Sequence, residues 1–224
     1  MGKRKTSSQP HPQQLLVEGK NDFHVISALR KKYNIPSRFS IEVPDSIELS
    51  NRKKATGVEA LLLGLPIRLK EPYLKTLGIV VDADQDLQAR WQAIRDKLKS
   101  VGYDNTPKNP CPEGLIYEQE ELPKIGVWIM PNNKLTGELE DFVSYLIADD
   151  DQLKDKANEI LDELEKLEIN GYNKGDRAKA MIHTWLARQK QPGMPMGLSI
   201  TANVLKYDNG VLQAFINWLN KLYQ

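Results

Sequence analysis

Two short, wholly apolar runs each stop at an acid, and each is followed by a stretch with helical periodicity. The first is Leu15-Leu-Val17 (preceded by Gln14), ending in Glu18-Gly19; the second is Leu77-Gly-Ile-Val-Val81, ending in Asp82-Ala-Asp84-Gln-Asp86. Runs without alternation fit strands covered on both faces, as strands of a parallel sheet are. Behind the first run, Asn21 or Asp22 offers a helix cap, and Phe23, Ile26, Leu29 and Tyr33 recur at helical spacing. Behind the second, Leu87, Trp91, Ile94 and Leu98 do the same. Between the two units, residues 38–43 alternate like a half-buried strand, and residues 57–69 read as a helix interrupted near its end by Pro66. Strand and helix alternating in this way predict an α/β fold: a central, mainly parallel sheet flanked by helices.

The rest of the chain extends that plan. A Pro-rich loop over 106–112 precedes two strand-like runs, 114–118 and 125–130, with an acidic turn at 118–121 between them. Thr136 opens a further helix, and residues 149–167, 176–189 and 209–222 are helical in pattern. Loops at 171–175 and 191–197 separate them, and the Pro-Gly-Met-Pro-Met-Gly stretch of the latter reads as a tight interhelical turn. The expected organisation is a solvated basic tail over 1–13, an α/β domain over 14–148 and a helical extension over 149–224 packed on it.

With 224 residues, 40% of them hydrophobic, the chain is long enough to bury a core. The single cysteine, Cys111, rules out an intrachain disulfide, and the apolar run 60–67 is far too short to span a bilayer. Positive charge in Met1-Gly-Lys-Arg-Lys is not followed by an apolar stretch, so no secretory signal is read and the cytoplasm is the expected location.

The chemistry concentrates where the two runs end. In open α/β sheets ligands bind beyond the carboxyl ends of the strands. Residues two apart at a strand end project to one side, so Asp82 and Asp84 are expected to face one point, with Asp86 next in line and Glu18 across a short gap. Clustered carboxylates repel one another unless a cation joins them. The hard oxygen donors suit Mg²⁺ or Mn²⁺, which leaves coordination positions open for phosphate oxygens. The expected reaction class is phosphodiester transfer or hydrolysis. A calcium loop fits poorly, because Leu87 stands where that loop needs glycine and Ala93 where it needs glutamate. The alternative with no chemistry in it is a helix cap followed by a solvated acidic turn.

Leu16-Val-Glu18-Gly19-Lys-Asn-Asp22 followed by a helix, and then Ile79-Val-Val-Asp82-Ala-Asp84, resembles the Toprim fold shared by topoisomerases, primases and OLD-family nucleases. The resemblance covers residues 14–148. Gly126-Val-Trp-Ile-Met-Pro131, Gly137-Glu-Leu-Glu140-Asp-Phe and Thr184-Trp-Leu-Ala resemble a family of stand-alone Toprim-related proteins. The resemblance implies that Glu18 is a metal ligand or general acid/base and that Asp82 and Asp84 ligate Mg²⁺ (or Mn²⁺). It adds Asp22 and Glu140 as further acidic ligands and Lys179 as a catalytic lysine. The expected substrate is nucleic acid or a phosphate ester. The chain carries no Gly-x-x-x-x-Gly-Lys-Ser/Thr loop of the sort that accompanies OLD-type Toprims. Two expectations therefore stand: a metal-dependent nuclease or phosphodiesterase, and a catalytically silent module that binds a separate ATPase.

Other reactive side chains point nowhere in particular. His11, His24 and His183 lack ligand-spaced partners, Cys111 lacks a cationic activator, and Trp91, Trp128, Trp185 and Trp218 read as core. Charge is more informative. The formal net of +1 conceals a block, residues 138–168, with twelve acids and three bases, which leaves 28 bases and 18 acids elsewhere. Lys3-Arg-Lys5, Arg30-Lys-Lys32, Arg52-Lys-Lys54, Arg177 and Lys179 are the candidates for a phosphate track, or else ordinary solvated faces.

Overall fold

A computed structural model describes residues 10–49, 53–206 and 208–224. The tail cluster Lys3-Arg-Lys5 and Arg52 lie outside the described residues. Chain order begins β1 (Gln13–Val17), α1 (Lys20–Lys32), β2 (Ser40–Glu42), β3 (Ile47–Glu48), β4 (Lys54–Ala55) and α2 (Gly57–Arg68). It continues with β5 (Thr76–Asp82), α3 (Leu87–Lys99), β6 (Leu115–Tyr117), β7 (Lys124–Met130), α4 (Leu139–Ser144) and α5 (Gln152–Lys166). After a short 3₁₀ turn come α6 (Arg177–Leu186), α7 (Met196–Thr201) and α8 (Gly210–Leu222).

Five strands form the central sheet in the order β2-β1-β5-β7-β6. The first four are parallel and β6 runs antiparallel at the edge. This is the mainly parallel α/β architecture expected from the two apolar runs. β3 and β4 make a small separate antiparallel hairpin, which the sequence pattern did not reveal because each strand is only two residues long.

Side chains alternate along each strand and divide the core into two layers. Leu15, Val17, Val80, Trp128 and Met130 face α1, α4, α6, α7 and α8. Leu16, Ile79, Val81, Val127 and Ile129 face α2 and α3. The chain steps from β1 outward to β2, then back across β1 to β5 and on to β7. Right-handed crossovers put α1 on one face and α2 and α3 on the other when the direction reverses in this way. The reversal falls between β1 and β5, so the strand ends that carry Glu18 and Asp82 flank the topological switch point.

The helical extension is integral to the first layer. Tyr223, beyond α8, lies against the middle of the sheet: its hydroxyl donates to the Gln14 carbonyl at 2.6 Å and accepts from the Gly78 amide at 3.2 Å. Only glycine fits there, because a Cβ on Gly78 would come within 2.5 Å of that hydroxyl and 2.6 Å of Leu15. The stretch read as a turn over 191–197 instead runs into α7, which packs tightly along α1. A Cβ on Gly197 would approach the His24 carbonyl oxygen to 2.7 Å. Six residues give too little periodicity to betray a helix, and this one is made by its packing. All four tryptophans are buried, as expected.

Candidate functional site

Each wall of the site begins with a helix start. Glu18 directly follows β1, and Gly19 is the N-cap of α1. The Gly19 amide donates to Asp22 Oδ2 at 3.0 Å, the reach-back half of a capping box. α4 begins the same way: the amide of its N-cap, Glu138, donates to Asp141 Oδ2 at 2.8 Å. Glu140 then falls in the first turn of α4 and is buried, 4% exposed. The two ends are tied together by an isolated bridge, in which the Asp84 amide donates to Gly137 O at 3.0 Å and the Gly137 amide to Asp84 O at 2.9 Å. Gly137 has φ +136°, a conformation that side-chain-bearing residues rarely adopt, and a Cβ there would meet Asp141 at 2.6 Å.

The result is an open cleft of about 390 Å³ at the carboxyl edge of the sheet, where Glu18, Asp22, Asp82, Glu138 and Glu140 meet Lys20 and Lys179. Four of the five acids named in advance as ligands are therefore in one place, with Lys179 beside them. Lys179 Nζ stands 3.3 Å from Glu138 and 3.5 Å from Asp176. Burial works against its charge, but the Glu140 and Glu138 carboxylates outweigh that and hold its pKa above the usual lysine value.

The acids are held at a cost. Burial, then the charges of Asp22 and Glu18, push Asp82 up to about 9. Burial, opposed by backbone amides and reinforced by the Glu18 charge, pushes Asp22 up to about 7. Glu18 and Glu140 are also raised, chiefly by burial. Glu18 is partly compensated: its Oε2 accepts from the Asp82 amide at 3.3 Å, and the Arg90 charge also favours its ionised form. Two oxygens lack any such compensation. Among the described residues, Asp22 Oδ1 and Asp82 Oδ1 are buried with no hydrogen-bond partner. Unpaired acceptors of this kind are rare in native structures, and a bound cation is one of the few arrangements that satisfies them. Among the described residues, no three His, Cys, Asp or Glu side chains already converge on one point as a chelating set. Mg²⁺ does not require one, since it is commonly held by one or two carboxylates, with water and phosphate oxygens filling the remainder. The donor set fits that ion.

Asp84 and Asp86 do not line this cleft, although the Asp84 charge still raises Glu18 and the Arg90 charge lowers it. Asp86 caps α3, its Oδ1 accepting from the Ala89 amide at 2.9 Å, which is the plain capping role. Asp84 has φ +51° and pairs with Arg90 Nη2, while Arg90 Nε donates to the Asp82 carbonyl at 2.8 Å. The left-handed turn breaks the extended geometry on which the convergence of Asp82 and Asp84 was predicted. Arg90 was not singled out in the sequence. A basic residue in the opening turns of a helix, where the dipole favours acids, was the available signal.

The charge candidates separate in space. Arg30 donates to Phe39 O at 3.0 Å and Lys32 to Leu205 O at 2.9 Å, both at the end of α1 remote from the cleft, about 15–20 Å along its axis. Arg177 pairs with Asp162 and Glu165 on the acidic helix α5. Of the basic residues proposed for a phosphate track, Lys179 alone lines the cleft among the described residues. His11, by contrast, makes local contacts with Gln13 and Gln14, and burial pushes the Cys111 thiol up, away from reactivity.

Fold and site together define an α/β protein with a carboxylate-lined cleft at its topological switch point. Residues 12–224 match the family described as a protein of unknown function, DUF3226, and the chain belongs to that family. No curated protein and no solved structure matches it.

Proposed function

We propose that this chain is a Toprim-like, Mg²⁺- or Mn²⁺-dependent phosphodiester-cleaving enzyme or nuclease subunit, acting in the cytoplasm on nucleic acid or a phosphate ester. The observation that carries this reading is the pair of buried, unpartnered oxygens, Asp22 Oδ1 and Asp82 Oδ1, in one cleft at the switch point. In this reading Asp22 and Asp82 hold the cation, with Glu18 and Glu140 completing its surroundings. The ion supplies charge neutralisation at the phosphoryl oxygens and activation of water. Lys179, kept cationic by Glu140 and Glu138, orients a phosphate oxygen and offsets charge that develops on it. Glu18, whose carboxyl group is raised by burial, is placed to hold the proton taken from the nucleophile or given to the leaving group. The mainly parallel sheet supports the Toprim resemblance, as does the joint placement of Glu18, Asp22, Asp82, Glu140 and Lys179.

The test is cleavage of single-stranded and duplex DNA, RNA and bis(p-nitrophenyl) phosphate with Mg²⁺ or Mn²⁺. Cleavage is expected to need the ion and to disappear in Asp82→Ala. Cleavage that persists in that variant, or in excess chelator, contradicts the mechanism. The alternative reading is a catalytically silent module that binds a partner such as a separate ATPase. It gains support if calorimetry shows no binding of Mg²⁺ or Mn²⁺ at millimolar concentration, whereas binding abolished by Glu18→Ala supports the enzyme.

A further inference from the structure

Asp82 and Asp84 are two residues apart, yet their carboxylates meet different fates. Asp82 Oδ1 is buried without a partner, whereas Asp84 is neutralised by Arg90. Arg90 is itself well enclosed, with 14% of its side chain exposed, and its second contact is the main-chain carbonyl of Asp82. A guanidinium presents several N–H donors in a rigid planar fork, so one residue can bind a carboxylate with one edge and a carbonyl with another. Asp84 is held independently through its backbone by the two hydrogen bonds to Gly137 and by its left-handed φ. To ligate an ion in the cleft, its side chain would have to give up its contact with Arg90, leaving that poorly exposed cation with only the Glu18 charge to offset it.

The geometry points to a division of labour within the Asp82-Ala-Asp84 turn. We propose that Arg90 is a positioning residue which withdraws Asp84 from the ligand set and fixes the Asp82 main chain, so that the cleft takes a single divalent cation on the Asp22 and Asp82 side. This inference rests on the reading of the cleft as a cation site and specifies how many ions it holds and through which acids. Arg90 acts as a permanent internal substitute for a second metal ion, neutralising the outer carboxylate in its place.

Calorimetric titration with MnCl₂ at pH 8 tests this on the full chain, with melting temperature recorded for every variant. The wild-type protein is expected to bind one Mn²⁺. Asp84→Asn should keep that stoichiometry with affinity within about threefold, while Asp82→Asn loses at least about thirtyfold. Arg90→Gln, which leaves Asp84 without its counter-cation, should bind a second Mn²⁺, and Arg90→Gln combined with Asp84→Asn should return to one. The melting losses of Arg90→Gln and Asp84→Asn should be non-additive, as for two partners of one contact. Two Mn²⁺ in the wild type, or an Asp84→Asn loss as large as that of Asp82→Asn, overturns the inference while leaving the cation site standing. No Mn²⁺ binding by the wild type overturns both.

Discussion

The middle and the end of β1 and β5 are built on opposite terms. At the middle, beneath the C-terminal residues, the Tyr223 hydroxyl serves both the Gly78 amide and the Gln14 carbonyl. Volume is matched as well, since Gly78 leaves a space that Tyr223 and Leu15 fill. A few residues further along the same two strands, four acids are raised above their ordinary pKa values, and two of their oxygens have no partner. The first region is optimised for stability. The second gives stability up, as sites shaped for a ligand do.

Substitutions at the two regions should therefore move stability in opposite directions. Gly78→Ala is the most damaging, because the new methyl displaces Tyr223 and breaks two buried hydrogen bonds. A loss of about 3 kcal/mol in urea unfolding is expected, and a neutral result would show that α8 is not seated as described. Asp82→Asn should do the reverse and stabilise the metal-free protein at pH 8 by about 2 kcal/mol, since it removes a group whose ionisation burial opposes. The pH dependence carries the same sign. Asp22 and Asp82 have folded pKa values, about 7 and about 9, above those of the unfolded chain. The folded state therefore holds more protons in this window, and their contribution to stability is full below about pH 4 and is lost as pH rises toward 9. Asp82→Asn should flatten the upper part of that decline, and an unchanged slope would argue against the raised value. Tyr223→Phe is the mildest of the three, costing about 1.5 kcal/mol by leaving the Gly78 amide and Gln14 carbonyl without their shared partner. An effect below experimental error would show that water replaces the hydroxyl there.

Sequence and structure agree most closely where a pattern is long and local. The runs ending at Glu18 and Asp82 needed only apolar continuity to be read as parallel strands, and Glu18 and Asp82 follow directly as strand-end acids. Asp22, Glu140 and Lys179 came from resemblance, and the cleft unites them only because the order β2-β1-β5-β7 brings β1 beside β5 and α4 beside both ends. The exception is Asp84. Its side chain was expected to project with Asp82 as in an extended strand, but the bridge to Gly137 and the turn at φ +51° redirect it to Arg90. That turn depends on residues more than fifty positions downstream, and two-residue periodicity carries no trace of it. The helix α7 was hidden for a related reason, since it owes its existence to contact with α1 rather than to its own six residues.

If the unpartnered oxygens at the strand ends bind a cation as proposed, its concentration sets the stability of the folded state. The most direct measurement is the melting temperature at pH 8 with increasing MnCl₂, for the wild-type chain and for Asp82→Asn. A ligand bound by the folded state alone stabilises it in proportion to the logarithm of its concentration above Kd, about 2.7 kcal/mol at a hundredfold excess. The wild type should gain stability steadily with Mn²⁺, and Asp82→Asn, more stable at the start, should gain almost nothing. Equal responses in the two proteins, or none in the wild type, would contradict the account.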